Sequence, residues 1–558
     1  MANPKKWISF VLLAALCGCL LTGCGEETAS SAVPVSSAAA QEEKPQVSLP
    51  EAQDASLTVS LGAEPASLDP AKSVSADTDA YSAALFEGLY KRDADGNVVF
   101  GQAESATVSE DRLVWTFTLR EDACWSDGKP VTAEDFVYAW RRNCLLEDAG
   151  ERELFAYLKN GEALLNGTMQ GAENLGVRAV DDRTLEVALA APCDFLDTLL
   201  LRPVFSPLRS DVVEGNDGWD RGSFVSNGPM TLAAWSHKES ITLQRSETYY
   251  AKDEVTTQSL TCQLSEGDDA RLSNYDASGL SYCTPLPADD ANMRRRGDLL
   301  LQDQDAVACL EFYTADGPLA DARVRQALSL AIDRDTLAAE GTAFRFPAAW
   351  SLVPEGFSDA VPGSDFRQTA GALLPDEDYA ADVAQANALL DAAGYEDRAR
   401  LSLTIVNEPG SFAQVASDAI VQMWQQALGI SCTVRTMQPD DYQAACAAGD
   451  VQVTFTVLRA TYGDASALLE AMAPHSGQNR LSYDDAGYTA LLSQARTATD
   501  AQARYTALHE AEAYLLEVLP VTPLFEVPHT ALLAAVVTGA QVSPAGVVSL
   551  AYFETGSL

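Results

Sequence analysis

Cys124-Trp125-Ser126-Asp127-Gly128-Lys129-Pro130-Val131-Thr132-Ala133-Glu134-Asp135-Phe136-Val137-Tyr138-Ala139-Trp140 is the stretch from which the fold is read. Its first half is a turn, because Asp-Gly and a nearby proline punctuate periodic structure. Thr132 then starts a helix, with Asp135 three positions on in a capping-box-like arrangement. Phe136 and Trp140 lie four apart and share one helix face. Just upstream, Leu113, Trp115, Phe117 and Leu119 alternate with Val114, Thr116, Thr118 and Arg120, the period-two pattern of a strand with one buried face. In this setting Trp125 is expected to be a packed indole beside a turn.

The same alternation of strands and helices continues outward. Asp321 can cap a helix whose Val324, Leu328 and Ile332 repeat every four residues. Leu401, Leu403 and Ile405 alternate as a strand. A helix follows with Ala416, Ile420, Trp424 and Leu428 on one stripe, stopped by Gly429, and a strand from Ile430 to Val434 comes next. That order predicts a parallel pair joined by a right-handed crossover. The chain therefore reads as mixed α/β in several lobes, with no internal repeat of about 20–50 residues.

The beginning of the chain carries an address. Lys5 and Lys6 precede an apolar run from Trp7 to Leu21, which ends in Leu21-Thr22-Gly23-Cys24. This is the pattern of a bacterial lipoprotein signal (1–23), cut so that Cys24 becomes the lipidated first residue. The run is too short for a bilayer span, which needs about 20 residues. From Gly25 to about Ala55 the composition is Ser, Ala, Glu and Gln, too poor in large apolar groups to order itself. Residues 24–55 are thus expected to be a flexible tether with a reach of roughly 30 Å. The body would stay at the outer face of the cytoplasmic membrane, on the extracellular or periplasmic side.

Composition narrows the function. The 47% hydrophobic fraction and eight tryptophans argue for globular structure. The formal charge of -43 becomes -45 once Lys5 and Lys6 are removed, which excludes a non-specific nucleic-acid binder. Cys17 and Cys19 fall in the signal and Cys24 is the lipidation site, and the remaining eight of the eleven cysteines form no CxxC pair, so a zinc cluster is not expected. Buried free thiols and some bridges both remain open for them. The four histidines are isolated, and no HExxH, GxSxG or Gly-rich phosphate loop occurs. Carboxylate pairs such as Asp289-Asp290 arise by chance among 80 acids. No catalytic residue, metal site or cofactor is expected.

A resemblance sharpens this reading. It rests on Glu64-Pro65-Ala66-Ser67-Leu68-Asp69-Pro70, Phe86-Glu87-Gly88-Leu89-Tyr90, Ala103-Glu104-Ser105, Trp115-Thr116-Phe117-Thr118-Leu119-Arg120 and the opening stretch from Trp125 to Trp140. It continues at Asn227-Gly228-Pro229, Val324-Arg325-Gln326-Ala327-Leu328, Ala331-Ile332-Asp333-Arg334 and Pro520-Val521-Thr522-Pro523. In this order the chain resembles the extracellular solute-binding proteins of oligopeptide and dipeptide ABC importers, solute-binding family 5. The resemblance implies a type II periplasmic-binding-protein-like two-lobed clamp of cluster C, with an extra domain on the first lobe. Lobe I would be 56–84, 205–308 and 522–558, the extra domain 85–204, and lobe II 309–521. A monomer would enclose a peptide or other small solute and deliver it to ABC permease subunits.

The implied ligand contacts are the loop Val74-Ser75-Ala76, the segment Val457-Leu458-Arg459 and a wall residue, Tyr282. Oligopeptide binders of this family carry a tryptophan, a small residue or Cys, and an acid for the peptide's ammonium just before a tyrosine. Here Leu458 and Thr461 stand in the tryptophan and acid positions, before Tyr462. Asp464 is the candidate substitute anchor, and Arg459 can meet a ligand carboxylate in a bidentate pair. Thr461 keeps open a non-peptide cargo (a sugar, an opine-like compound or a metal complex). A ligand-sensing receptor without transport is the other alternative.

Overall fold

The computed structural model describes residues 57–556, except 215–218, 220–223, 266, 279, 289, 291, 341–343, 376–377 and 475. The signal, Cys24 and the tether lie outside the described residues.

The opening stretch forms as its pattern dictates. Trp125 packs with 1% of its surface exposed and donates its indole N–H to Asp135 Oδ2 at 3.3 Å. The same carboxylate oxygen accepts the Thr132 backbone N–H at 2.8 Å, closing the start of the helix Ala133–Leu145. Phe136 and Trp140 meet edge to face at 6.3 Å, both fully buried. This helix packs against an antiparallel four-stranded sheet, ordered Ala103–Val108, Val114–Leu119, Thr184–Ala188, Val177–Asp181. Trp140 Nε1 and Asn143 Nδ2 then bond the carbonyls of Phe205 and Val204, which anchors the helix to the following chain.

A second sheet has seven strands, in the order Leu299–Gln302, His529–Leu533, Tyr282–Cys283, Leu57–Ser60, Ser259–Gln263, Ser240–Arg245, Met230–Ser236. A third has five, in the order Ser431–Thr436, Ser402–Asn407, Val453–Arg459, Ala306–Phe312, Val521–Glu526. Its inner strand Ala306–Phe312, flanked on both sides, is buried at every residue, which explains an apolar run rather than an alternating one. Ser402–Asn407 and Ser431–Thr436 pair in parallel, and the helix Ser411–Leu428 connects them. Gly429 ends that helix at φ 68°, a left-handed conformation that glycine adopts without a side-chain clash.

The chain crosses between the seven- and five-stranded sheets side by side, at 303–305 and 527–528. Val527 N–H bonds the Ala306 carbonyl at 2.9 Å where the crossings meet. Two short, adjacent crossings let two rigid sheets rotate about one line, as in a hinge. The eight cysteines of the described chain are all free thiols, and burial lifts Cys144 to about 11. No helix among the described residues is long and apolar enough to cross a membrane.

Candidate ligand-binding site

A cavity of about 270 Å³ lies where the three sheet systems approach. Val74, Ser75 and Ala76 form one wall, Glu151, Glu153 and Arg202 a second, and Val457, Arg459, Thr461 and Arg480 a third. It shares Asp79, Arg202, Thr461 and Ala545 with a neighbouring chamber of about 180 Å³, which runs under the Tyr90–Phe100 hairpin. Ser75 caps the helix Ala76–Leu85, and its hydroxyl is paired with Thr78, which leaves Val74 projecting with 72% of its surface exposed. Gly150 permits this arrangement. A Cβ there would stand 2.2 Å from the Ser73 carbonyl oxygen.

The third wall offers backbone as well as side chains. Phe455 N–H bonds Asn407 Oδ1 at 3.3 Å, and Arg459 N–H bonds Gln478 Oε1 at 2.8 Å, both away from the partner strand Ala306–Phe312. By the two-residue period of a strand, Val457 between them turns its N–H and C=O to the same side. The neighbour Ser402–Asn407 reaches this strand at one pair, Ile405 with Val453, so the edge at Val457 is uncovered. Leu458 points the other way. Its side chain is 0% exposed and Leu458 is absent from the cavity wall, so the contact expected of it is not met.

Charges are distributed unevenly around the cavity. Arg202 is buried and bonds Asp79 Oδ2 at 2.5 Å and Glu151 Oε2 at 2.8 Å, while Asp79 also accepts from Ser73. Burial pushes the Glu151 carboxyl up, against the opposing pull of Arg202 and a hydrogen bond from Thr461. Glu153 is pushed up to about 8, chiefly by burial and further by the charges of Glu151 and Glu470. Burial raises Asp77 to about 6 despite the nearby guanidinium groups of Arg459 and Arg271.

A second network joins the side of the four-stranded sheet to the five-stranded side. Tyr157 and Tyr462 donate their hydroxyls to the two oxygens of Glu470 at 2.8 and 2.9 Å, and Arg496 bonds the same carboxylate at 2.8 Å. Phe195 stacks on Tyr462 at 5.3 Å, and Thr198 Oγ1 accepts the Gly463 N–H. These contacts hold the walls together over the cavity.

Two further expectations are corrected by this geometry. Asp464 is 4% exposed and absent from the cavity wall; its carboxylate takes two bonds from Arg504, at 2.6 and 3.0 Å, and two from Ser466. Arg504 and these hydrogen bonds outweigh burial and hold Asp464 below the usual carboxylate range. It is a loop anchor and not a ligand anchor. Tyr282 is 0% exposed, because its strand sits inside the seven-stranded sheet, and its hydroxyl bonds His529 Nε2 at 2.5 Å. It lines no wall of the cavity. Glu151, Glu153, Arg202 and Arg480 were not indicated by any local sequence pattern.

The sequence pattern described as bacterial extracellular solute-binding proteins, family 5, matches residues 97–480. The chain belongs to this family. The murein peptide-binding protein MppA of Escherichia coli is 30% identical over 482 residues, covering 83% of this chain and 86% of MppA. The solved structure of the E. coli murein tripeptide-binding MppA superposes with a TM-score of 0.82 at 27% identity, covering 91% of this chain and 99% of that one. Against the unliganded open form of MppA the TM-score is 0.64, with 90% and 98% covered at 28% identity. Haemophilus influenzae OppA in complex with the peptide RPPGFSPFR gives 0.81 at 25% identity, covering 90% and 99%. The fold is thus the two-lobed clamp of periplasmic solute-binding proteins, and its lobes are arranged unlike the open MppA. The family is one of extracellular solute-binding proteins, and the relatives named here bind peptides.

Proposed function

We propose that this protein is the lipid-anchored substrate-binding component of an ABC importer, which encloses an extended peptide between its lobes and hands it to a membrane permease. The observation that carries the reading is the uncovered backbone of Val457, beside the exposed loop at Val74. An extended peptide binds such an edge by adding a strand, independent of its side chains. The lobe boundaries given above, the monomeric state and the anchoring through Cys24 belong to the same proposal. A clamp tethered by 24–55 stays within reach of its permease.

Thr461 stands where relatives of this kind keep an acid for the peptide's ammonium. Glu151, whose charged form Thr461 favours, lines the opposite wall of the same cavity. Thr461 also favours a second reading, in which the same clamp holds a non-peptide solute without a free amino end. Native mass spectrometry of protein purified without refolding separates the two. A family of peptide masses released on denaturation supports the peptide reading; a single non-peptide mass overturns it.

A further inference from the structure

Arg202 is the cavity's satisfied cation, held by two carboxylates. Arg459 and Arg480 differ from it. Neither side chain has an ion-pair partner among the described residues, and the half-buried Arg459 keeps its Nε buried with no hydrogen bond. Both line the same cavity as Val457. The two guanidinium groups lie close enough to repel, and burial weighs against the charge on Arg459.

The neighbouring acids act on them without forming an ion pair. Asp79 is committed to Arg202 and Ser73. Asp77 acts on Arg459 only at a distance. Glu311 accepts the backbone N–H of Arg480 at 3.0 and 3.2 Å, and burial pushes it up to about 8. The pair is also held in place: the Gln478 side chain bonds both the N–H and the carbonyl of Arg459, at 2.8 and 3.1 Å, which ties the turn bearing Arg480 to the strand bearing Arg459. The half-buried Arg459 and the exposed Arg480, neither of them ion-paired, leave positive charge beside an open strand edge, which an anion neutralises. A planar carboxylate matches the guanidinium fork.

We propose that Arg459 and Arg480 form a carboxylate-binding subsite that selects peptides with an acidic side chain or a free C-terminus beside Val457. The proposal deepens the peptide reading and rests on it.

The test is calorimetry of the full chain in detergent with alanine tetrapeptides carrying one Asp at each position, their Asn counterparts, and their C-terminal amides. Replacing the recognised carboxylate by an amide should weaken wild-type binding by about tenfold or more. The difference should vanish in the Arg459→Met/Arg480→Met double variant. Loss with Asn assigns a side-chain carboxylate, and loss with the C-terminal amide assigns the terminus. If neither exchange matters while neutral peptides still bind, the subsite is overturned and the peptide reading stands. If no peptide binds, the peptide reading fails, and glutarate, which has no peptide group, decides the subsite alone. It should raise the melting temperature of wild type but not of the double variant, and equal shifts or none overturn the proposal. Arg459→Met should leave the unliganded protein as stable as wild type or more so, since it removes an unpaired half-buried charge; a large loss would make Arg459 structural and refute its role.

Discussion

Asp464→Ala should destabilise the protein while leaving the binding of peptides with a free amino end intact. The side chain is 4% exposed, and its partner Arg504 is 13% exposed, so the pair is shielded from water. Removing the carboxylate strands Arg504 between Phe195, 4.8 Å from its guanidinium carbon, and Tyr505 at 5.2 Å. Breaking a buried pair from one side costs about 3–5 kcal/mol, because the remaining charge stays buried without compensation. That is a large part of a typical total of about 5–15 kcal/mol. Replacing both partners, as Asp464→Ala/Arg504→Leu, should recover much of the loss, since no charge is then left alone. Urea unfolding followed by tryptophan fluorescence measures the stability, and calorimetry compares free and N-acetylated peptides. Unchanged stability, together with loss of the preference for a free amino end, would refute the reasoning and restore Asp464 as a ligand anchor.

Three further predictions follow from the cavity and its surroundings. Tyr157→Phe removes a hydroxyl bond to the Glu470 carboxylate across the cavity, worth about 1.5–3 kcal/mol. The junction between the two sides should weaken, and peptide affinity by calorimetry should fall about tenfold or more although Tyr157 itself is no proposed ligand contact. Glu311 is raised from 4.5 to about 8, mainly by burial, so the folded chain binds more protons there than the unfolded chain between those values. Stability should therefore fall as pH rises through that window, and Glu311→Gln should flatten the urea-midpoint profile there. Gly150→Ala places a Cβ 2.2 Å from the Ser73 carbonyl oxygen and 2.7 Å from Val74 Cγ1. Overpacking of this kind costs about 1–3 kcal/mol and should displace the Val74 wall, which melting and peptide titration both report.

Much of the scaffold was legible because its signals are local. The alternation around Phe117, the Thr132–Asp135 cap and the stripe Ala416, Ile420, Trp424, Leu428 each depend on residues within one element. The site was legible in part. Val74, Ser75, Ala76, Val457, Arg459 and Thr461 came from a resemblance in two stretches, and they line one cavity. Glu151, Glu153, Arg202 and Arg480 come from separate segments, and among 80 acids a single Glu looks like solvated surface until folding buries it. Asp464 misled for a related reason. Its partner Arg504 is forty positions away on the helix Ala501–Val518, and nothing near Asp464 announces a guanidinium. Tyr282 sits in a two-residue strand, too short for alternation to show that it is enclosed.

The central claim is that an extended peptide adds to the strand edge at Val457. A crystal structure of the protein with a bound tri- to pentapeptide tests it most directly. The account predicts peptide backbone within about 3 Å of both the N–H and the carbonyl oxygen of Val457. A ligand enclosed by the lobes with neither group of Val457 bonded to it would contradict the account.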